Sequence, residues 1–136
     1  MADSMATVRS IYDAFGKGDV QTVLGLLSDK VEWNEAEHFP YWTGGPFIGP
    51  QAVLNGVFAR IGQDFDGFKV DIGRLVGCGD TVVSEVRYRG TAKATGKRLD
   101  VQVAHVWDVR DGKVARFQQY ADTWQVAQLT GVTPKS

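Results

Sequence analysis

Three side chains carry the chemistry that this chain could perform: Glu35, Tyr88 and His105. Each falls on a run in which apolar and polar residues alternate, and the alternation turns all three inward. Glu35 shares a strand face with Val31 and Trp33. Burial there raises a carboxyl's pKa toward the range useful to a general base. The competing reading is that Glu35 lies past the strand end and meets water or pairs with a Lys or Arg. His105 interrupts the apolar row Leu99, Val101, Val103, Trp107, Val109. It could polarise a carbonyl or exchange a proton with Glu35. It could equally be a neutral core histidine bonded to a backbone carbonyl or to Gln119. Tyr88 and Gln119 could hold a ligand oxygen, with structural hydrogen bonding as the alternative. Catalytic roles are assigned to Glu35, His105 and Tyr88. Ligand contact is assigned to Trp33, Tyr41, Trp42, Phe58, Val103, Trp107, Phe117 and Gln119.

Other chemistries find little in the sequence. Glu35, Glu37 and His38, with His105 as a fourth ligand, match no metal-site spacing, so no metal is expected. No Gly-rich phosphate loop follows a strand, and no cofactor is expected. Ser84 shares the inward face of Tyr88 without a Ser-His-acid arrangement. Cys78 sits in a Gly turn without a base.

The elements that must position these residues follow from periodicity. Met5, Val8, Ile11, Tyr12 and Phe15 recur at helical spacing, capped by Asp3 or Ser4 and ended by Gly16 or Gly18. Asp19 caps a second helix carrying Val20, Val23, Leu24 and Leu27. Val31, Trp33 and Glu35 mark a short strand. Residues 36 to 49 form an aromatic, Gly- and Pro-rich loop, either a lid or an interface. Gly49-Pro50 opens a third helix with Val53, Leu54, Val57, Phe58 and Ile61 buried. From Phe68 the period changes to that of strands, separated by turns at 77–80, 95–97 and 110–113. Asp122-Thr123 caps a short final helix. Helices grouped early and strands grouped late imply an α+β fold. Short connections make the sheet antiparallel-rich. A twisted sheet curling around the helices leaves a conical hollow, a natural small-molecule site.

The bulk composition bounds the rest. The chain of 136 residues is 43% hydrophobic and 23% charged, with a formal net charge of -1. That length suits a single domain, taken as 1–136. The near-neutral charge argues against nucleic acid or an anionic membrane as partner. No stretch is apolar for long enough to span a bilayer. No secretory signal is visible, and the lone cysteine suits a reducing compartment, so a cytoplasmic location is expected.

The pattern resembles the nuclear transport factor 2-like (NTF2-like) superfamily, and within it the SnoaL-like and ketosteroid isomerase-related branch. The residues that carry the resemblance are Leu26-Leu27-Ser28-Asp29, Val31-Glu32-Trp33, Gly49-Pro50-Gln51-Ala52-Val53, and Arg110-Asp111-Gly112-Lys113-Val114 leading to Phe117-Gln118-Gln119-Tyr120-Ala121-Asp122. The resemblance implies a cystatin-like cone, with a curved sheet wrapped around the N-terminal helices. It also implies a catalytic base near the end of the strand that holds Glu35. The pocket departs from two known members. Ketosteroid isomerases carry an oxyanion pair, a Tyr on the helical side and a protonated Asp on a late strand. Here Val101, Val103 and His105 point inward with no inward Asp. The carboxylate–Arg–carboxylate trio of limonene epoxide hydrolase falls on Val86, Tyr88 and Gln119. Relatives often pair through the outer sheet face, so a homodimer is expected, with Glu85, Arg87 and Arg89 matched across a two-fold axis. The function that follows is binding of a small apolar ligand, with cofactor-free proton abstraction next to a carbonyl. The alternative is a non-catalytic binding or dimerisation module.

Overall fold

The structure is a computed structural model that describes residues 3–131, so both ends of the expected 1–136 domain lie outside the described residues. Helix α1 (Ser4–Gly16) buries Val8, Ile11 and Tyr12, and Asp3 caps it by accepting from the Met5 N–H. Helix α2 (Val20–Gly25) is capped by Asp19, which accepts from the backbone and hydroxyl of Thr22. Leu27, expected on this helix, instead begins strand β1 (Leu27–Asn34). There it is buried and pairs with Val114, so sheet pairing outweighs one further helical turn.

Strand β2 (Phe47–Ile48) pairs antiparallel with β1. Helix α3 (Pro50–Val53) then runs through a π-helical turn (Leu54–Phe58) into α4 (Ala59–Asp64). The expected third helix is therefore present but wider in its middle. At that turn a Cβ on Gly56 would stand 2.3 Å from the Phe47 ring, so the absence of a side chain lets the helix press onto β2.

Four long strands complete the sheet: β3 (Phe65–Cys78), β4 (Thr81–Ala92), β5 (Arg98–Arg110) and β6 (Lys113–Ala121). Helix α5 (Thr123–Thr130) follows, capped by Asp122 as expected. Strand order is β2-β1-β6-β5-β4-β3, with β1 parallel to β6 and every other pairing antiparallel. Strand β3 starts three residues before Phe68 and runs on through Gly77 and Cys78, which pair with Val82 and Thr81. The turn is thereby narrower than the expected 77–80 segment. Two register shifts in β3, after Asp66 and after Ile72, bend it and strengthen the twist. The β5–β6 hairpin turns on Asp111 and Gly112, both at positive φ, as a tight two-residue turn requires.

The sheet closes over α1 and the α3–α4 helix, and the core lies between them. Along β5, Leu99, Val101, Val103, His105, Trp107 and Val109 are all buried, so the period-2 pattern holds across the whole strand. This is the α+β cone that the sequence suggests. Among the described residues no helix is long and apolar enough to cross a membrane.

Candidate functional site

Register places the polar residues side by side. His105 on β5 lies opposite Ser84 on β4 and opposite Gln119 on β6, forming one polar row across an apolar inner face. Each is at most 4% exposed. A buried polar group must find a partner, and this row supplies most of them. The hydroxyl of Tyr12, reaching in from α1, lies 2.6 Å from His105 Nδ1 and 2.6 Å from Ser84 Oγ. The Tyr88 hydroxyl lies 2.6 Å from His105 Nε2. Gln119 Nε2 donates to the Tyr88 hydroxyl at 2.8 Å, while its Oε1 accepts from the Ala36 N–H at 3.1 Å. Trp107 Nε1 donates to Ser84 Oγ at 3.0 Å. Both imidazole nitrogens are thus bonded to tyrosine hydroxyls, neither to a backbone carbonyl nor to Gln119 directly. Burial lowers the His105 pKa to about 3, so the ring is neutral at physiological pH. Burial likewise pushes the Tyr12 and Tyr88 hydroxyls well above their usual range, so both keep their protons.

Glu35 stands just beyond the end of β1, and it is buried all the same. The chain is held there by the Gln119–Ala36 bond. Trp33 Nε1 donates to Glu35 Oε2 at 3.0 Å, and Oε1 has no hydrogen-bond partner among the described residues. Desolvation pushes the carboxyl up to about 7; the Trp33 N–H and the positive charge of Arg60 oppose the shift. No direct Glu35–His105 hydrogen bond exists among the described residues. The two are linked through Ala36, Gln119 and Tyr88.

These groups border a cavity of about 60 Å³ whose wall is almost wholly apolar. Glu35, Tyr88, His105, Gln119 and Tyr12 are among the residues that line it. Trp33, Tyr41, Phe58, Trp107 and Phe117, all expected ligand contacts, line it too. Trp33 stacks on Phe117 with ring centres 3.8 Å apart, giving one flat wall. Two residues of the aromatic loop, Phe39 and Tyr41, are buried and line the cavity. Tyr41 is fastened from outside by a 2.8 Å bond from its hydroxyl to Asp64 and by Arg60 lying 4.4 Å over its ring.

Two expected contacts stand apart. Trp42 is half-buried, packs on His38 and lies outside the cavity lining. Val103 is buried in the inward row, paired with Val86 and Ala121, and lies outside the cavity lining. Among the described residues no three His, Cys, Asp or Glu side chains converge on a metal position. Sequence reasoning passed over Tyr12 as a site residue, although it is the one aromatic hydroxyl among the buried residues of α1. Ser84 was considered only as a nucleophile, whereas its place in the row comes from its register with His105.

The profile of the SnoaL-like domain family matches residues 8–117. Among solved structures, an NTF2-like protein from Burkholderia thailandensis is 34% identical, with a TM-score of 0.89, covering 95% of this chain and 98% of that one. TerC, co-crystallised with polyporic acid, is 23% identical with a TM-score of 0.84, covering 95% and 98%. A protein of ketosteroid isomerase-like fold from Catenulispora acidiphila, in complex with trimethylamine, is 20% identical with a TM-score of 0.77, covering 93% and 92%. No curated protein matches the chain. With most of its length matched to the family profile and its cone shared with these structures, the chain belongs to the SnoaL-like domain family.

Proposed function

We propose that the cavity binds a small, flat, largely apolar carbonyl compound and moves a proton at the carbon next to the carbonyl, without a cofactor. One observation carries the proposal. A buried carboxyl with a free oxygen, Glu35 Oε1, borders an apolar cavity that also holds a tyrosine hydroxyl. Glu35 acts as the base. A pKa near 7 is well matched to neutral pH, where a useful fraction is ionised and still basic. Tyr88, backed by neutral His105, donates to the oxygen on which negative charge develops. Aromatic walls fit a planar ring, and TerC, of the same fold, was co-crystallised with a small molecule, polyporic acid. Glu35→Gln keeps the shape and removes the base. We expect a loss of turnover of about 10²–10⁴-fold with the fold intact, read across a panel of steroids, polyketide-like aromatics and epoxides.

The second reading is a non-catalytic binding module. It is favoured by the small size of the cavity and by the saturation of both His105 nitrogens. A panel member that stabilises the fold and is never converted supports it. The proposal also includes a homodimer through the outer sheet face, where Val76 and Tyr120 are exposed. The charges on that face are already paired within the chain, Arg87 with Asp100 and Arg74 with Glu85, so apolar contact would carry the interface. Sedimentation at working concentration should show the dimer, and monomer alone would refute it.

A further inference from the structure

The bonds around His105 can be counted. Ser84, Tyr12, neutral His105 and Tyr88 stand in a line, joined by three contacts of 2.6 Å. Each residue brings one proton to the line, which makes four. Three contacts use three protons, so one is always surplus; Tyr12 already accepts from Trp107 Nε1 and cannot also accept from both neighbours, so the surplus leaves at an end. At the Ser84 end the outlet is the His105 carbonyl at 3.5 Å, beyond good hydrogen-bond length for a hydroxyl. At the Tyr88 end the outlet is the cavity, which Tyr88 lines and Ser84 does not. Gln119 cannot take the proton. Its Oε1 is held by the Ala36 N–H, so its amide meets Tyr88 as a donor.

Two arrangements with the same protons and charge follow. In the first, Tyr88 donates to Nε2, Nδ1–H donates to Tyr12, and Tyr12 donates to Ser84. The Tyr88 hydroxyl then offers the cavity only a lone pair. In the second, every bond is reversed. Ser84 donates to Tyr12, Tyr12 to Nδ1, and Nε2–H to Tyr88, whose own proton then points into the cavity.

We infer that Tyr12 and Ser84 are positioning residues that set the tautomer of His105, and that a ligand oxygen selects the arrangement in which Tyr88 donates into the cavity. The inference rests on the proposed site and narrows its ligand to one that presents an acceptor oxygen, such as a carbonyl, at Tyr88. A ligand can shift such an equilibrium only by binding one arrangement better, and an acceptor oxygen does so here. A hydroxyl-donating ligand would select the other arrangement.

The test is ¹⁵N spectroscopy of the imidazole, which separates a protonated from an unprotonated ring nitrogen. The chain holds two histidines, His38 and His105, so assignment is simple. Ser84→Ala leaves Nδ1 as the acceptor for the Tyr12 proton, and we expect His105 to be protonated at Nε2. Trp107 keeps the Tyr12 hydroxyl as an alternative acceptor at 3.2 Å, which protects the fold. Tyr88→Phe would leave an Nε2–H buried without an acceptor, and we expect protonation at Nδ1. The same tautomer in both variants, or the opposite assignment, overturns the inference. Both measurements need no ligand, so this failure is separate from inactivity of the site. Should either variant not fold, the wild-type protein with cyclohex-2-enone decides. Nε2–H with the enone seated is the expected result, with cyclohexene as the oxygen-free control. Nδ1–H with the enone seated, or no seating of the enone, overturns it.

Discussion

Glu35 is held near the midpoint of its titration by two opposed neighbours. The apolar wall favours the acid, and the Trp33 indole N–H favours the carboxylate. A hydrogen bond to a charged group contributes about 1.5–3 kcal/mol. Trp33→Phe keeps most of the apolar wall and removes that donor, so the carboxyl moves higher still. Turnover at neutral pH should fall roughly tenfold and recover at higher pH, since about 1.4 kcal/mol is a factor of ten. A pH–rate profile of kcat/KM checks this, and an unchanged profile would mean that the indole bond does not tune the base. Glu35, Tyr88 and His105 were legible in the sequence because alternation marks the inward face. Tyr12 was not, because a tyrosine on an amphipathic helix fits a core stripe as well as a site. Only the fold shows that its hydroxyl meets His105.

At the scale of elements, the strands were the more legible part. Strict alternation over β4 and β5 leaves one register that buries the apolar face. Boundaries were less so. Leu27 satisfies a helical stripe and a strand pattern alike, and only its pairing with Val114 decides. The π-helical turn has no periodic signature, because one extra residue per turn merely shifts the stripe. It occurs where Gly56 meets Phe47, and it ends on the cavity wall residue Phe58. Gly56→Ala would drive a methyl into the Phe47 ring. We expect a loss of about 1–3 kcal/mol of stability by denaturant unfolding, the usual cost of overpacking. Unchanged stability would show that the contact yields freely.

For the molecule as a whole, Glu35 and His105 set opposite pH slopes. Glu35 rises from 4.5 to about 7, so the folded chain holds this proton more tightly and stability falls as pH climbs between those values. His105 drops from 6.5 to about 3, so its contribution is complete above 6.5 and is lost as pH falls toward 3. Between about 4.5 and 6.5 the two cancel, and their joint contribution is a plateau with a decline on either side. Glu35→Gln leaves only the His105 limb. Its stability should rise with pH up to about 6.5 and then stay level, exceeding wild type above pH 7 by on the order of 3 kcal/mol. Denaturant titrations across pH 3–8 check both curves; a plateau that persists in the variant would contradict this assignment. A protein that keeps a carboxyl at such a cost to stability has an arrangement typical of functional sites.

The most direct measurement is deuterium incorporation from D₂O next to the carbonyl of cyclohex-2-enone, for wild type and Glu35→Gln side by side. We expect wild-type exchange to rise through about pH 7 and to be lost in the variant. Equal exchange in the two proteins would contradict the assignment of Glu35 as the base.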